Sequence, residues 1–209
     1  MDSSRFNTLW QRAGARNNST AAFAVLVDYY SEPHRRYHTA RHVRDCLETY
    51  DSAVHVLGNN DAVEMALWFH DAVYIVGQTD NESCSAALFR SLSEGYLPSD
   101  FSEQVVRLIM ATRHNQAPTA ADEQFATDVD LDGLAKPWDA FITDTELLRQ
   151  ENSATDDKTF RGNVRGFLER LLARPSIYAT AYFEVKSEAI ARSNIERLLA
   201  ELDSLPLGP

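Results

Sequence analysis

The stretch Thr39–Leu57, TARHVRDCLETYDSAVHVL, sets Val43, Cys46, Leu47, Tyr50 and Val54 three or four residues apart. That spacing lines one face of a helix and turns it to a core. The stripe is not wholly apolar. His42 precedes Cys46 by four residues and Tyr50 by eight, which puts an imidazole on the inward face.

Working outward, the same helical period recurs. Asp61 followed by Glu64 reads as a capping box opening the segment MALWFHD, and Asp80 or Asn81 caps ESCSAALFRSL, which Gly95 ends. Asp100 with Glu103 reads as a second capping box before VVRLIMATRH. Phe160, Val164, Phe167, Leu168 and Leu171 give a helix stopped before Pro175, and Ala191, Ile195, Leu198, Leu199 and Leu202 give another. No sustained period-2 alternation or hairpin signal competes with them. The softest points, Gly95–Ser99, Ala117–Asp122 and Asn152–Asp157, make no convincing linker, and no repeat is present. One all-α domain is expected over 1–209.

Composition narrows the function. A chain of 209 residues, 44% hydrophobic, buries about 70% of its unfolded surface, enough for a core without disulfides. Cys46 and Cys84 therefore read as buried small hydrophobes in a reducing cytoplasm. The 31 acidic against 20 basic side chains argue against long nucleic acids as partners. No apolar run approaches the roughly 20 residues a membrane span needs, and the opening MDSSRFNTLWQRAG lacks the apolar core of a signal peptide.

The polar residues on apolar faces carry the chemistry. His70 falls three after Leu67 and seven after Val63, and Asp71 closes the run Ala66–Phe69. An unpaired Asp carried inward there would cost several kcal/mol, order of magnitude. Asp128 and Asp130 flank Val129 beside Leu131. A lone core histidine is ordinarily just hydrogen-bonded, and an Asp-rich stretch is ordinarily a solvated face. Several inward ligand types in one small helical domain point instead to a divalent metal. Imidazoles and carboxylates without a thiolate suit Mn, Fe, Co, Ni or Mg, with Zn also open.

The order His42, His70-Asp71, then Asp130 resembles the H…HD…D pattern of the HD-domain superfamily of metal-dependent phosphohydrolases. Tyr37-His38-Thr39-Ala40-Arg41-His42 resembles the Y-H-N-x-x-H motif of some members, with Thr39 where Asn is common. Trp68–Tyr74, Asp80-Asn81-Glu82 with Ser85-Ala86, Ala111–His114, Asp128–Leu131, Ile177–Thr180 and Glu188…Ala191–Asn194 resemble a bacterial group of predicted metal-dependent HD phosphohydrolases, over most of 25–200. In the run Arg149-Gln150-Glu151-Asn152 the last position is not the aromatic expected of that group.

The resemblance implies an HD-domain-like helical bundle with His42, His70, Asp71 and Asp130 as metal ligands. Asp130 is preferred over Asp128, and His38 is the proton donor. Glu82 and His114 would meet a second ion through water or orient the nucleophile. It implies metal-activated water attacking a small phosphorylated substrate, for which a nucleotide is the first candidate. An inactive metal-containing nucleotide-binding or regulatory domain is the alternative. Arg41 is the first choice for a substrate phosphate, with Arg35, Arg36 and Arg113 read mainly as surface charges. The metal's identity, the ion count and the oligomeric state stay open.

Overall fold

Helix α4 (Asp61–Phe69) has every residue from Ala62 to Phe69 buried, and five other helices are arranged around it. A helix apolar on all sides can exist only with neighbours on all sides. In this computed structural model, which describes residues 1–17 and 19–204, those neighbours are α1 (Ser3–Arg12), α3 (Ala40–Leu57), α5 (Asn81–Ser93), α6 (Ser99–Ala111) and α7 (Ala121–Leu131). Helix α2 (Thr20–Tyr30) packs on α1. After α7 a 3₁₀ turn, Asp132–Ala135, leads to α8 (Trp138–Glu151), α9 (Asp157–Leu172) and α10 (Ala181–Glu201). Among the described residues there is no strand. The protein is a single all-α domain.

Aromatic rings fill the space around α4. Trp68 meets the edge of Phe6 at 5.2 Å between centroids, Phe69 meets Phe89 at 4.9 Å, and Tyr50 stacks on Phe125 at 5.1 Å. Such pairs add about 0.5–1.5 kcal/mol each beyond the area they bury.

Two capping assignments need correction. Asn60, not Asp61, caps α4, its side-chain oxygen accepting from the amides of Ala62 and Val63. Glu64 is instead buried and bound by Arg5 Nε at 2.7 Å and an Arg12 amine at 2.9 Å. At α6 the cap position is Pro98, and no side chain caps the helix. Asp80 stands at the cap of α5 without a side-chain bond, while Asn81 reaches back to the amide of Ile75 at 2.9 Å. Ser85 Oγ accepts from the amide of Val73 at 3.0 Å. These two side chains hold the loop that follows Asp71.

The C-terminal motifs are likewise scaffolding. Glu188 accepts from the amides of Ile177 and Tyr178 and from Ser176, which keeps its carboxyl below the ordinary range against the opposing pull of burial. Asn194 donates to the carbonyls of Leu134 and Lys136, fixing the turn just beyond α7.

Candidate metal centre

Four of the sequence's candidates arrive at one point from three helix ends. His42 lies in the first turn of α3, His70 caps the C-terminus of α4 with Asp71 directly after, and Asp130 is the penultimate residue of α7. His42 Nε2 and His70 Nε2 stand 3.1 Å apart. Asp71 Oδ2 is 3.3 Å from the first and 3.1 Å from the second. Asp130 Oδ1 is 3.3 Å from each. Donors about 2.1 Å from a common ion lie about 3.0–3.4 Å apart, between octahedral and tetrahedral limits. The five separations fall in that window.

The surroundings favour a cation. His70 Nδ1 donates to the carbonyl of Leu67 at 3.0 Å, which commits its Nε2 lone pair to the cluster. Asp130 sits where the α7 dipole disfavours an anion by about 0.3–1 kcal/mol. Burial opposes charge on all four groups. Their neighbours nevertheless hold the two imidazoles well above their ordinary range, Cys46 and Tyr37 ahead of the carboxylates at His42 and Asp71 with Asp130 at His70, and the imidazoles hold Asp71 and Asp130 well below theirs. Two Nε2 atoms this close cannot both carry a proton directed at the other.

Cys46, one turn after His42, also belongs to the neighbourhood. His42, Cys46, His70 and Asp130 offer donor atoms within 4.8 Å of one another and could hold a metal ion. The expectation of a centre with no sulfur beside it is thus corrected. The Cys46 sulfur is 3.9 Å from His42 Nδ1 and 3.7 Å from Nε2. A sulfur nearly equidistant from both ring nitrogens lies above or beside the ring, not in front of Nε2. Cys84 is only half-buried, against expectation, and both thiols are free.

The remaining candidates stand around this cluster. His114 follows α6 with a left-handed φ of 55°, unusual for a residue with a side chain, and its Nε2 meets Asp130 Oδ2 at 2.8 Å. It thereby holds the ligand carboxylate by its outer oxygen. Glu82, in the first turn of α5, lies 3.7 Å from Arg113 Nε, and burial raises its carboxyl above the ordinary range. His38 lies just before the cap Thr39, with Nε2 at 3.9 Å from Asp71 Oδ2. Its ring stacks on Tyr74 at 4.0 Å between centroids.

Glu151 is the residue that sequence reasoning missed. Its buried carboxylate meets His38 Nδ1 at 2.5 Å and accepts from the amides of Arg36 and His38. Burial works against its ionisation, yet these bonds keep its carboxyl below the ordinary range. The 113-residue separation from His38 left no local signal. Arg35, taken for a surface charge, is buried and donates to the carbonyls of His38, Asp71 and Ala72. Four carbonyl and carboxylate partners explain its burial, the fourth being Glu32 at 3.0 Å. It clamps the proton-donor candidate to the ligand segment. Arg41 pairs with Asp144 at 2.8 Å.

Asp128 points away from the cluster. Its carboxylate accepts from the amides of Ala179 and Thr180 and from the Thr180 hydroxyl, at 2.7–2.8 Å, fixing the start of α10. Asp128→Ala leaves three donors without an acceptor, two of them on buried Thr180, and should cost about 2–4 kcal/mol. Asp128→Asn keeps an acceptor and should cost less. Urea unfolding measures both, and bound metal should be unchanged in the Asn variant.

The fold and the cluster together define the class that these observations reach: an all-α domain with a buried His, Cys and Asp group able to hold a metal. No protein-family model, no curated protein and no solved structure matches the chain. Among the described residues, no helix is long and apolar enough to cross a membrane.

Proposed function

We propose that the protein is a metal-dependent phosphohydrolase of small phosphorylated metabolites, built on the H…HD…D plan of the HD-domain superfamily and working in the reducing cytoplasm. The observation that carries the reading is the convergence of two imidazole nitrogens, 3.1 Å apart, with two carboxylate oxygens each 3.1–3.3 Å from both, on the rim of a 480 Å³ cavity.

His42, His70, Asp71 and Asp130 would hold the ion. Asp71 is chosen over Cys46 because an ion about 2.1 Å out along the Nε2 lone pair of His42 would be about 4 Å or more from the sulfur, against about 2.3 Å for a metal–thiolate bond. A divalent ion held there supplies a water of lowered pKa and polarises a phosphoryl oxygen.

The chain's own residues do the rest. Hydrolysis forms one P–O bond from water, breaks the P–O bond to the alcohol, and leaves that alcohol oxygen in need of a proton. His38 is placed to give it. Its Nδ1 is engaged by Glu151, so Nε2 is the atom directed into the cavity beside Asp71. Such general-acid help is worth about 10²–10⁴ in rate. His114 steadies Asp130, and Glu82, beside Arg113 at 3.7 Å, is the carboxylate placed to orient the incoming water.

Metal-loaded protein should release phosphate from a panel of phosphomonoesters and nucleotides. Nucleotide binding by calorimetry with no hydrolysis over hours, across Mn, Mg, Co and Ni, would overturn the enzymatic reading in favour of a regulatory domain. Glu151→Gln should keep the metal and the fold but lower kcat about tenfold or more, with KM little changed, because an amide holds the imidazole without stabilising its charge. The same substitution should move the alkaline limb of the kcat–pH profile to lower pH, because the proton donor loses its neighbouring charge, which loss of packing alone would not do.

A further inference from the structure

The cavity next to the cluster has two chemically different ends. Residues up to Asp130 supply the polar end: His38, His42, Asp71, Glu82 and His114 with Asp130 itself. The later part of the chain supplies a wall of Leu134, Phe141, Leu148, Val164, Phe167 and Leu198 from the 3₁₀ turn, α8, α9 and α10. Phe167 approaches His114 to 6.3 Å between ring centroids, so the two ends are continuous.

The cationic inventory of the cavity is small. Among the described lining residues Arg113 is the one lysine or arginine, and it already stands 3.7 Å from Glu82. Asp144, the other acidic residue of the lining, is paired with Arg41 and with Lys136 at 2.7 Å. A divalent ion held by the cluster would balance Asp71 and Asp130. That leaves no cluster of positive charge to meet the chain of a di- or triphosphate. Sites that take polyphosphates bring several donors or cations to them.

The wall is apolar in the main. Of its polar side chains, the hydroxyl of Thr145 donates to the carbonyl of Phe141 at 3.0 Å and the amide nitrogen of Asn152 to the carbonyl of Leu148 at 2.9 Å, with Asn163 beside them. An apolar body against the six apolar side chains would gain about 25 cal/mol for each Å² it buries. We infer that the substrate is a phosphomonoester of a largely apolar or aromatic alcohol, its single phosphate at the His–Asp cluster and its body against the α8–α9 wall. This rests on the hydrolase reading and narrows its first candidate, the nucleotide, by setting nucleoside di- and triphosphates aside.

The test pairs binding with turnover. Phenylphosphonate and methylphosphonate share a head group and differ in the body. Calorimetry on the metal-loaded protein should find the phenyl compound bound about tenfold or more tightly, as its added apolar area predicts. Val164→Asn and Leu134→Asn should each shrink that ratio severalfold. If either fails to fold, the wild-type ratio alone decides. Phosphate release should follow the same order, with phenyl and alkyl phosphates above glycerol phosphate and above nucleoside triphosphates in kcat/KM. Equal binding of the two phosphonates, or a preference for triphosphates, would overturn the inference while leaving a hydrolase in place. Tenfold selective binding with no release from any ester would sink the hydrolase reading and leave the apolar-body site standing.

Discussion

Asp71→Ala is expected to lose bound metal and phosphate release together, whereas His38→Ala should keep the metal and lose turnover by a factor of about 10² or more. The asymmetry follows from position. Asp71 Oδ2 lies 3.3 and 3.1 Å from the two ligand imidazoles, so removing it strips a donor from the middle of the cluster. His38 stands outside α3, 3.9 Å from that same oxygen, held from behind by Glu151. The assay needs an ester whose leaving group requires a proton, since nitrophenolate leaves unaided and would hide the loss. Metal lost in His38→Ala but kept in His42→Ala would reverse the two roles.

Removal of the metal should lower the melting temperature by several degrees. A ligand at a hundredfold excess over its Kd stabilises by about 2.7 kcal/mol, and a domain of this size shifts about 2–4 °C per kcal/mol. The structure adds a pH dependence. In the metal-free state the imidazoles of His42 and His70 titrate above their ordinary range, with Asp71 and Asp130 among the neighbours that favour the charged form against burial. A group whose folded pKa is raised contributes stability that is full below its unfolded value, near 6.5, and fades as pH rises through the folded value. Metal binding strengthens over the same interval as competing protons leave. The gap between metal-loaded and chelated melting curves should therefore widen from pH 6 to pH 8. A gap that narrows, or no gap after verified metal removal, would place the ligands elsewhere.

Much of this architecture could be read from the chain, for identifiable reasons. The stripe of Val43, Cys46, Leu47 and Tyr50 is a local pattern, and α3, Ala40–Leu57, matches the segment Thr39–Leu57 that carries it to within a residue at each end. Inward polar groups at His42, His70, Asp71, Asp128 and Asp130 were legible from the apolar faces they sit on or beside, whereas picking out the four that meet rested on the resemblance to the H…HD…D pattern. Caps were less legible. Asn60 competes with Asp61, and Pro98 starts α6 by backbone geometry where Asp100 had the better side chain. The least legible contacts were long-range. Nothing near Glu151 shows that it meets His38, and nothing in Arg35 distinguishes it from its exposed neighbour Arg36 until the carbonyls of His38, Asp71 and Ala72 surround it. Asp128 and Asp130, two residues apart on one helix, face different ways, and only the start of α10 decides which carboxylate is left for a metal.

In the proposed centre one divalent ion would be held by two imidazoles and two carboxylates, with the neighbouring sulfur outside its reach. Elemental analysis of freshly purified protein beside Cys46→Ala and Asp130→Ala tests it directly. The geometry predicts one divalent ion per chain in the wild type and in Cys46→Ala, and none in Asp130→Ala. Metal lost from Cys46→Ala, or a wild-type protein purified and reloaded without stoichiometric metal, would contradict it.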